Sequence, residues 1–284
     1  MTTIALTGAT GELGGRVARR LAALGQTQRL VARDPGRAPQ LPGAEIVQAS
    51  FEDIPALKQA FSGTQTLFLV PGNVEGRLKG HFAVVDAAVE AGVERIIYLS
   101  FLACAPHPTF THSREHWQTE DYIRSKGVRY TFLRPNFYID AVPGWFSPEG
   151  IIQGPAGNGT ISWVSRDDIA DVAATVLTTE GHDGFAYALT GPEALTLDQT
   201  AAWLAAASGK AASYKEETYE EARASRAKYN ASEWDFTAWI STYHAIATGE
   251  LSLVSHTVQV LAGHSPQSLA EYLKRNPASY KHII

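Results

Sequence analysis

Thr7-Gly8-Ala9-Thr10-Gly11-Glu12-Leu13-Gly14-Gly15 is the stretch on which the reading of this chain turns. It follows a short apolar run, Ile4–Thr7, and opens an amphipathic segment, Leu13–Leu24. Gly8, Gly11 and Gly14 recur in a G-x-x-G-x-x-G spacing, and each has its own task. Gly8 permits a tight turn, Gly11 lets the backbone approach a pyrophosphate without a Cβ in the way, and Gly14 lets the helix pack close to the sheet. The phosphates then meet the free N–H groups at the positive end of the helix. A glycine triplet alone is a weak signal; the strand before it and the helix after it supply the context the motif requires.

Outward from this turn, short apolar runs alternate with helix-length amphipathic segments. The runs are Ile4–Thr7, Arg29–Ala32, Glu45–Gln48, Thr66–Val70, Arg95–Leu99 and Tyr130–Leu133, and helices are expected near Leu13–Leu24, Ile54–Phe61, Gly80–Ala91 and Arg114–Ser125. Such alternation builds a parallel sheet with helices on both faces. The fold class is therefore α/β, a Rossmann-type doubly wound parallel sheet with a smaller, mainly helical C-terminal substrate lobe. The NADP-binding domain is expected at residues 1–135, with later segments between 160 and 190 returning to the sheet, and the lobe at residues 136–284.

Pro143, Gly144, Pro148, Gly150, Gly154, Pro155, Gly157 and Gly159 crowd one stretch, a long loop of the kind that carries function. A short strand is expected at Thr160–Val164, and a helix from an N-cap at Ser165 with Asp167 and Asp168 in its first turn. Thr196 and Gln199 form a capping box for another helix. Residues 214–261 read as mostly helical, and Ser265-Pro266 as the start of a last helix.

The second strand ends in Val31-Ala32-Arg33. An acidic residue there binds the 2′-hydroxyl of NAD, whereas arginine suits the 2′-phosphate of NADP. Arg33, with Arg37 nearby, therefore points to NADPH (NADP+) as the cofactor, while Asp34 complicates the choice. By fold position, Ser50 and Phe51 lie where the adenine rests, and Val70 and Pro71 near the adenine ribose and pyrophosphate.

A short-chain dehydrogenase uses a Tyr-x-x-x-Lys pair, the tyrosine acting as acid. Tyr122 and Lys126 have that spacing but lie at the far end of their helix, so a packed aromatic and a solvated helix end are the simpler reading. The lysine position falls on His116 and the tyrosine position on His112. His116 can bond a ribose hydroxyl or donate a proton near neutral pH, which makes it the candidate catalytic residue. Glu120, one turn on, either orients His116 or caps the helix face.

Composition narrows the class. The chain has 284 residues, 45% hydrophobic and 19% charged, enough for a full core. Its net charge of −5, without basic clusters, gives no reason to expect nucleic acid. Cys104 is the single cysteine, so no internal disulfide forms, and it reads as a passive small residue. No signal peptide or apolar run of roughly 20 residues is apparent, so a cytoplasmic protein without a membrane span is expected. No metal site is read from the sequence, and a homodimer is left open.

TGATGELGG at the start, AGVERIIYLS at the fifth strand, the His116–Glu120 H-x-x-x-E and YTFLRPNFY at Tyr130–Tyr138 resemble the NmrA-like atypical short-chain dehydrogenases. Within that group the chain is most similar to the NADPH:quinone oxidoreductase type 2 and triphenylmethane reductase branch, whose pattern also covers AATVLTTEGHDGFAYALTGPEALTLDQ and TYHAIATGE. The resemblance implies NADPH along the sheet edge and a substrate cleft under the C-terminal lobe. It implies cofactor contacts at Gly8, Thr10, Gly11, Glu12, Leu13, Gly14, Arg33, Ser100, His116, Asn136 and Phe137. Phe101 departs from the polar or tyrosine residues common at its place, which weakens a reading as ordinary carbonyl reduction.

A ketone reduced by hydride becomes a basic alkoxide and wants a positioned acid, whereas a quinone becomes a much less basic aromatic anion. The missing tyrosine therefore favours hydride transfer to a quinone or similar conjugated aromatic acceptor. Phe101, Phe137, Tyr138, Trp145, Phe146, Trp163, Trp234 and Tyr243 could line a flat apolar pocket, with Phe101, Tyr138 and Trp145 as the substrate contacts and Trp163 and Trp234 better read as core. The alternative is a non-catalytic NADP(H)-binding redox sensor of the NmrA type. A sugar-nucleotide epimerase would require the absent tyrosine.

Overall fold

The computed structural model describes residues 3–283. The chain runs β1 (Ile4–Thr7), α1 (Glu12–Ala23), β2 (Gln28–Ala32), β3 (Ala44–Gln48), α2 (Ile54–Phe61), β4 (Thr66–Leu69), α3 (Arg77–Glu90), β5 (Arg95–Leu99), α4 (Thr111–Ser125) and β6 (Arg129–Pro135). After β7 (Ile151–Gly154), α5 (Arg166–Thr178) and β8 (Ala186–Leu189) come α6 (Leu197–Ser208), β9 (Ser213–Glu216), α7 (Tyr219–Arg226), α8 (Glu233–Ala247), α9 (Thr257–Ala262) and α10 (Leu269–Arg275). Seven strands form one sheet in the order β3-β2-β1-β4-β5-β6-β8. The pairings among β1 to β6 are parallel, with Ile4 opposite Gln28 and Thr66, and Arg95 opposite Arg129. The doubly wound parallel sheet expected from the alternation is therefore the observed fold.

Two compact units divide the chain. The first takes the residues up to Phe101, then Glu115–Arg134 and Arg166–Tyr187; the second takes Leu102–Arg114, Pro135–Ser165 and the chain from Ala188 onward. The excursion 102–114 belongs to the second unit, and Arg166–Tyr187 lies in the first.

In the first unit, Leu67, Leu69, Ile96, Tyr98 and Phe132 from the central strands pack with Leu57, Phe61, Val84, Val85 and Ile123 from α2, α3 and α4. Alternate strand residues supply this face, as the two-residue period of a pleated strand dictates. α1 packs against α5, and Leu13, Val17 and Leu21 are its buried stripe. Arg16 pairs with Asp167, and Arg20 reaches both Asp167 and Asp171, so guanidinium groups of α1 meet carboxylates of α5.

The second unit holds the parallel pair β7–β9 and helices α6 to α10. The capping box of Thr196 and Gln199 opens α6 as expected. The span 214–261 is mostly helical, as expected, and opens in β9, whose register on β7 pairs Ile152 with Tyr214. Two expectations are corrected. Thr160–Val164 is no strand: Ile161 bridges Leu195 and Val164 bridges Tyr138, single contacts with different partners that build no ladder. The last helix starts at Leu269, not at Pro266, because Ser268 and Glu271 form a reciprocal capping box that satisfies two backbone N–H groups.

Gly14 decides how closely α1 sits on the turn before it, since a Cβ there would collide with the Gly8 carbonyl and lie 3.1 Å from the Ala9 nitrogen. Gly14→Val should cost about 1–3 kcal/mol through overpacking. Urea unfolding followed by circular dichroism checks this; an unchanged midpoint would show that the contact is soft.

Candidate cofactor and active site

The loop between β1 and α1 has the geometry that its glycines suggested. Gly8 sits at φ 71°, a left-handed conformation, and a Cβ on it would lie 2.9 Å from Val70 Cβ. The Thr7 hydroxyl donates to the Val70 carbonyl at 3.0 Å and accepts from the Val70 N–H at 2.9 Å, tying the ends of β1 and β4 together. Gly11 is the N-cap of α1 and supplies no side-chain cap. The first-turn N–H groups at Glu12, Leu13 and Gly14 therefore face outward at the positive end of the helix. A Cβ on Gly11 would meet nothing nearer than the Gly8 carbonyl at 3.4 Å. Gly11 and Glu12 are exposed, Thr10 is half-buried and Leu13 is buried as core. These residues fit a dinucleotide pyrophosphate, whose oxygens would take the place of the missing cap.

Arg33 follows β2 directly and is exposed. Among the described residues neither its guanidinium nor that of Arg37 is engaged in an ion pair or hydrogen bond. The Asp34 carboxylate accepts from the Gly36 N–H at 3.0 Å and caps the short turn Pro35–Arg37. The acidic neighbour is thus occupied in its own turn, while the two arginines are available. Ser50, Val70 and Pro71 are half-buried, and Phe51 packs on α3, where a Cβ on Gly80 would lie 3.2 Å from Phe51 Cβ.

Two hydrogen bonds join β5 to α4. The Tyr98 hydroxyl lies 2.8 Å from His116 Nδ1, and the Ser100 hydroxyl donates to Glu120 Oε1 at 2.6 Å. Tyr98 and Ser100 are two residues apart in extended chain, about 6.6 Å along a strand. His116 and Glu120 are four apart on a helix, about 6 Å along its axis. The two repeats match, so strand and helix meet as two rungs. Glu120 has no exposed surface, and its carboxylate also accepts from Arg134 and Arg124. Its bonds go to Ser100, Arg124 and Arg134, so it does not orient His116 directly. His116 is 6% exposed, and its ring stacks on Phe101 at 6.1 Å. Tyr98 was missed at the sequence level; the signal was the match between the Tyr-x-Ser face of the strand and the His-x-x-x-Glu face of the helix.

Tyr122 and Lys126 are engaged elsewhere. The Tyr122 hydroxyl donates to Asp86 at 2.9 Å, Lys126 pairs with Asp86 at 2.6 Å, and the Tyr122 ring stacks on Phe82. Hydrogen bonds to Asp86 and Tyr122 raise the Lys126 pKa. The tempting pair is a surface clasp between α3 and the end of α4.

In the second unit, Asn136 is fully buried; its amide donates to Ser162 Oγ and the Leu251 carbonyl, and its Oδ1 accepts from the Phe137 N–H. The carboxamide is consumed inside this unit, so a direct side-chain cofactor contact does not fit its setting. Phe137 meets Phe110 and Trp145, and Trp145 meets Trp163 and Tyr243, an aromatic chain with centroid spacings of 5.1–5.8 Å. Trp163 is 3% exposed and donates to Thr200 Oγ1, which makes it core. His112 lies on Trp234 at 4.3 Å. Tyr138 is half-buried and bridges Val164 through its backbone.

The NAD(P)H-binding family profile matches residues 8–180. This chain belongs to the NAD(P)H-binding family. It is 37% identical over 216 residues to quinone oxidoreductase 2 of Escherichia coli (strain K12), covering 73% of this chain and 75% of that protein. The crystal structure of the Escherichia coli NADPH-dependent quinone oxidoreductase complexed with NADPH superposes with a TM-score of 0.89 at 32% identity, over 96% of this chain and 99% of that one. The Citrobacter sp. triphenylmethane reductase complexed with NADP(H) gives a TM-score of 0.83 at 32% identity, with coverage of 96% and 99%. The resemblance read from the motifs is thereby shown, and this member of the family is an NAD(P)H-dependent oxidoreductase. Among the described residues no His, Cys, Asp or Glu cluster could hold a metal, and no helix is long and apolar enough to cross a membrane.

One buried histidine of this NAD(P)H-binding chain lies behind the rungs. His81 of α3 has no exposed surface, its Nδ1 is 3.0 Å from Thr119 Oγ1, and its ring meets Tyr98 edge-on. Burial, and then the charge of Arg77, lower its pKa from 6.5 to about 3. Below pH 6.5 the unfolded chain takes a proton that the folded chain refuses, so stability falls as pH drops. The wild type should lose up to about 1.4 kcal/mol per pH unit more than His81→Gln in this window. Paired denaturant titrations between pH 6.5 and 4 check it; parallel curves would refute a neutral buried His81.

Proposed function

We propose that this chain is an NADPH-dependent reductase that passes hydride to a quinone or similar conjugated aromatic acceptor. The observation that carries the reading is the pair of exposed guanidinium groups, Arg33 and Arg37, after β2; at a separate place, a buried His116 stands at the lysine position of the family's tyrosine–lysine pair. NADPH supplies the hydride. The uncapped turn at Gly11 to Gly14 binds the pyrophosphate, and Arg33 binds the 2′-phosphate as a charge-assisted fork. Phe51 and Ser50 border the adenine, and Val70 and Pro71 the ribose and pyrophosphate. His116 bonds the acceptor or the nicotinamide ribose, and Phe101, stacked on His116, offers the acceptor an apolar face.

The acceptor takes two electrons and one hydrogen as hydride and a second proton from water, ending as a hydroquinone. A conjugated anion is weakly basic, so that proton needs no strong acid nearby. The relatives' names support this acceptor class, one being a quinone oxidoreductase and another a reductase of triphenylmethane dyes.

Arg33→Ala should weaken NADPH binding about tenfold and NADH binding less than about twofold, measured by calorimetry. Equal losses for both cofactors would overturn the 2′-phosphate assignment. His116→Ala should lower NADPH oxidation by 1,4-benzoquinone about 10- to 100-fold with an unchanged circular dichroism spectrum. Unchanged turnover would make His116 a packing residue. A protein that binds NADPH but oxidises none of it with quinones or dyes would instead be a redox sensor.

A further inference from the structure

Tyr98 has no exposed surface, so it touches neither cofactor nor acceptor, yet its hydroxyl sits on the imidazole assigned to the chemistry. Which of the two atoms holds the hydrogen follows from their acidities. A phenol O–H is a stronger donor than an imidazole N–H, and the bare nitrogen of a neutral imidazole is a stronger acceptor than a phenol oxygen conjugated with its ring. The bond at His116 Nδ1 therefore runs from Tyr98 to histidine, which places the histidine's own hydrogen on Nε2. The second rung, Ser100 to Glu120, joins α4 to the end of β5 one turn further on.

We propose that Tyr98 is a positioning residue that holds His116 as the neutral Nε2–H tautomer, so that His116 acts as a hydrogen-bond donor to the acceptor's carbonyl oxygen rather than as a proton source. This rests on the reading of His116 as the residue that meets the acceptor. A bound nicotinamide would supply the hydride, its C–H pair passing to the acceptor's carbon, and the pair displaced through the acceptor's conjugated system would come to rest on the carbonyl oxygen. Nε2–H stabilises that charge in place, as preorganised donors do in oxyanion sites. No proton leaves the imidazole, since that would require a buried imidazolate; water protonates the oxygen. Phe101 on the ring face keeps the site apolar and strengthens the bond.

The test uses the full chain and two readouts. Long-range 1H–15N correlation of 15N-labelled protein, with His116 assigned by its loss in His116→Ala, should show Nε2 protonated and Nδ1 bare. A proton on Nδ1 would overturn the proposal. Tyr98→Phe should lower kcat with 1,4-benzoquinone about tenfold while the KM for NADPH changes less than about twofold. In a His116→Ala background the same substitution should alter kcat less than about twofold, because Tyr98 acts only through the ring. Equal losses in both backgrounds would show a merely structural tyrosine and overturn the proposal. If His116→Ala alone left turnover unchanged, the acceptor role of His116 would fall, while the nitrogen spectrum would still decide the tautomer.

Discussion

A carboxylate with no solvent contact must be neutralised where it stands, and Glu120 meets that demand with three partners. Ser100 reaches it from the end of β5, Arg134 from β6 and Arg124 from its own helix. The bonds from Ser100 and Arg134 tie α4 to the sheet, while Arg124 moves with its own helix. With α4 tied there, His116 lies one turn back along the helix, within reach of Tyr98 two residues back along the strand. The Ser100 hydroxyl, having given its hydrogen to Glu120, presents only lone pairs to anything beyond it. One buried charge thus sets the polarity of the hydroxyl, while the imidazole one turn away meets Tyr98.

Cofactor binding and chemistry draw on different kinds of group. The turn at Gly8 to Gly14 works through backbone: a left-handed residue, a helix start without a cap, and a glycine pressed against a carbonyl. Side chains matter there mainly by their absence, and in the proposed reading Arg33 would add selection among dinucleotides. The β5–α4 region works through side chains whose hydrogen bonds are internal. Such a division suits a reaction in which the transferred pair comes with the cofactor and the protein contributes placement and electrostatics.

The cofactor half was legible in the sequence because its signals are local. A strand, three spaced glycines and a helix lie within one short stretch, and Arg33 follows the next strand at once. The runs read as strands match β1 to β6 to within a residue or two at their ends. The rungs were not legible, because they join a strand to a helix across the excursion 102–114, and each member has a plain reading alone. Tyr98 looks like core, and Glu120 looks like a neighbour of His116 by helical proximity. β9 escaped because Ser-Tyr-Lys-Glu carries no apolar alternation; only its partner β7 makes it a strand. At the last helix two start signals competed, and Ser268 with Glu271 won because they bond reciprocally whereas Ser265-Pro266 offers one fixed dihedral.

The helix that opens on Gly11 shares its lack of a side-chain cap with α3 and α9, whereas α2, α6, α7, α8 and α10 each begin with a side chain folded back over an N–H group. At the first turn after Gly11, in the proposed reading, the phosphate oxygens of a dinucleotide would supply the cap. On that reading, solvent hydrogen exchange at the amides of Glu12, Leu13 and Gly14 would report occupancy, slowing when the turn is loaded. A nucleotide bound there would thus complete the fold's first helix as well as serve the chemistry.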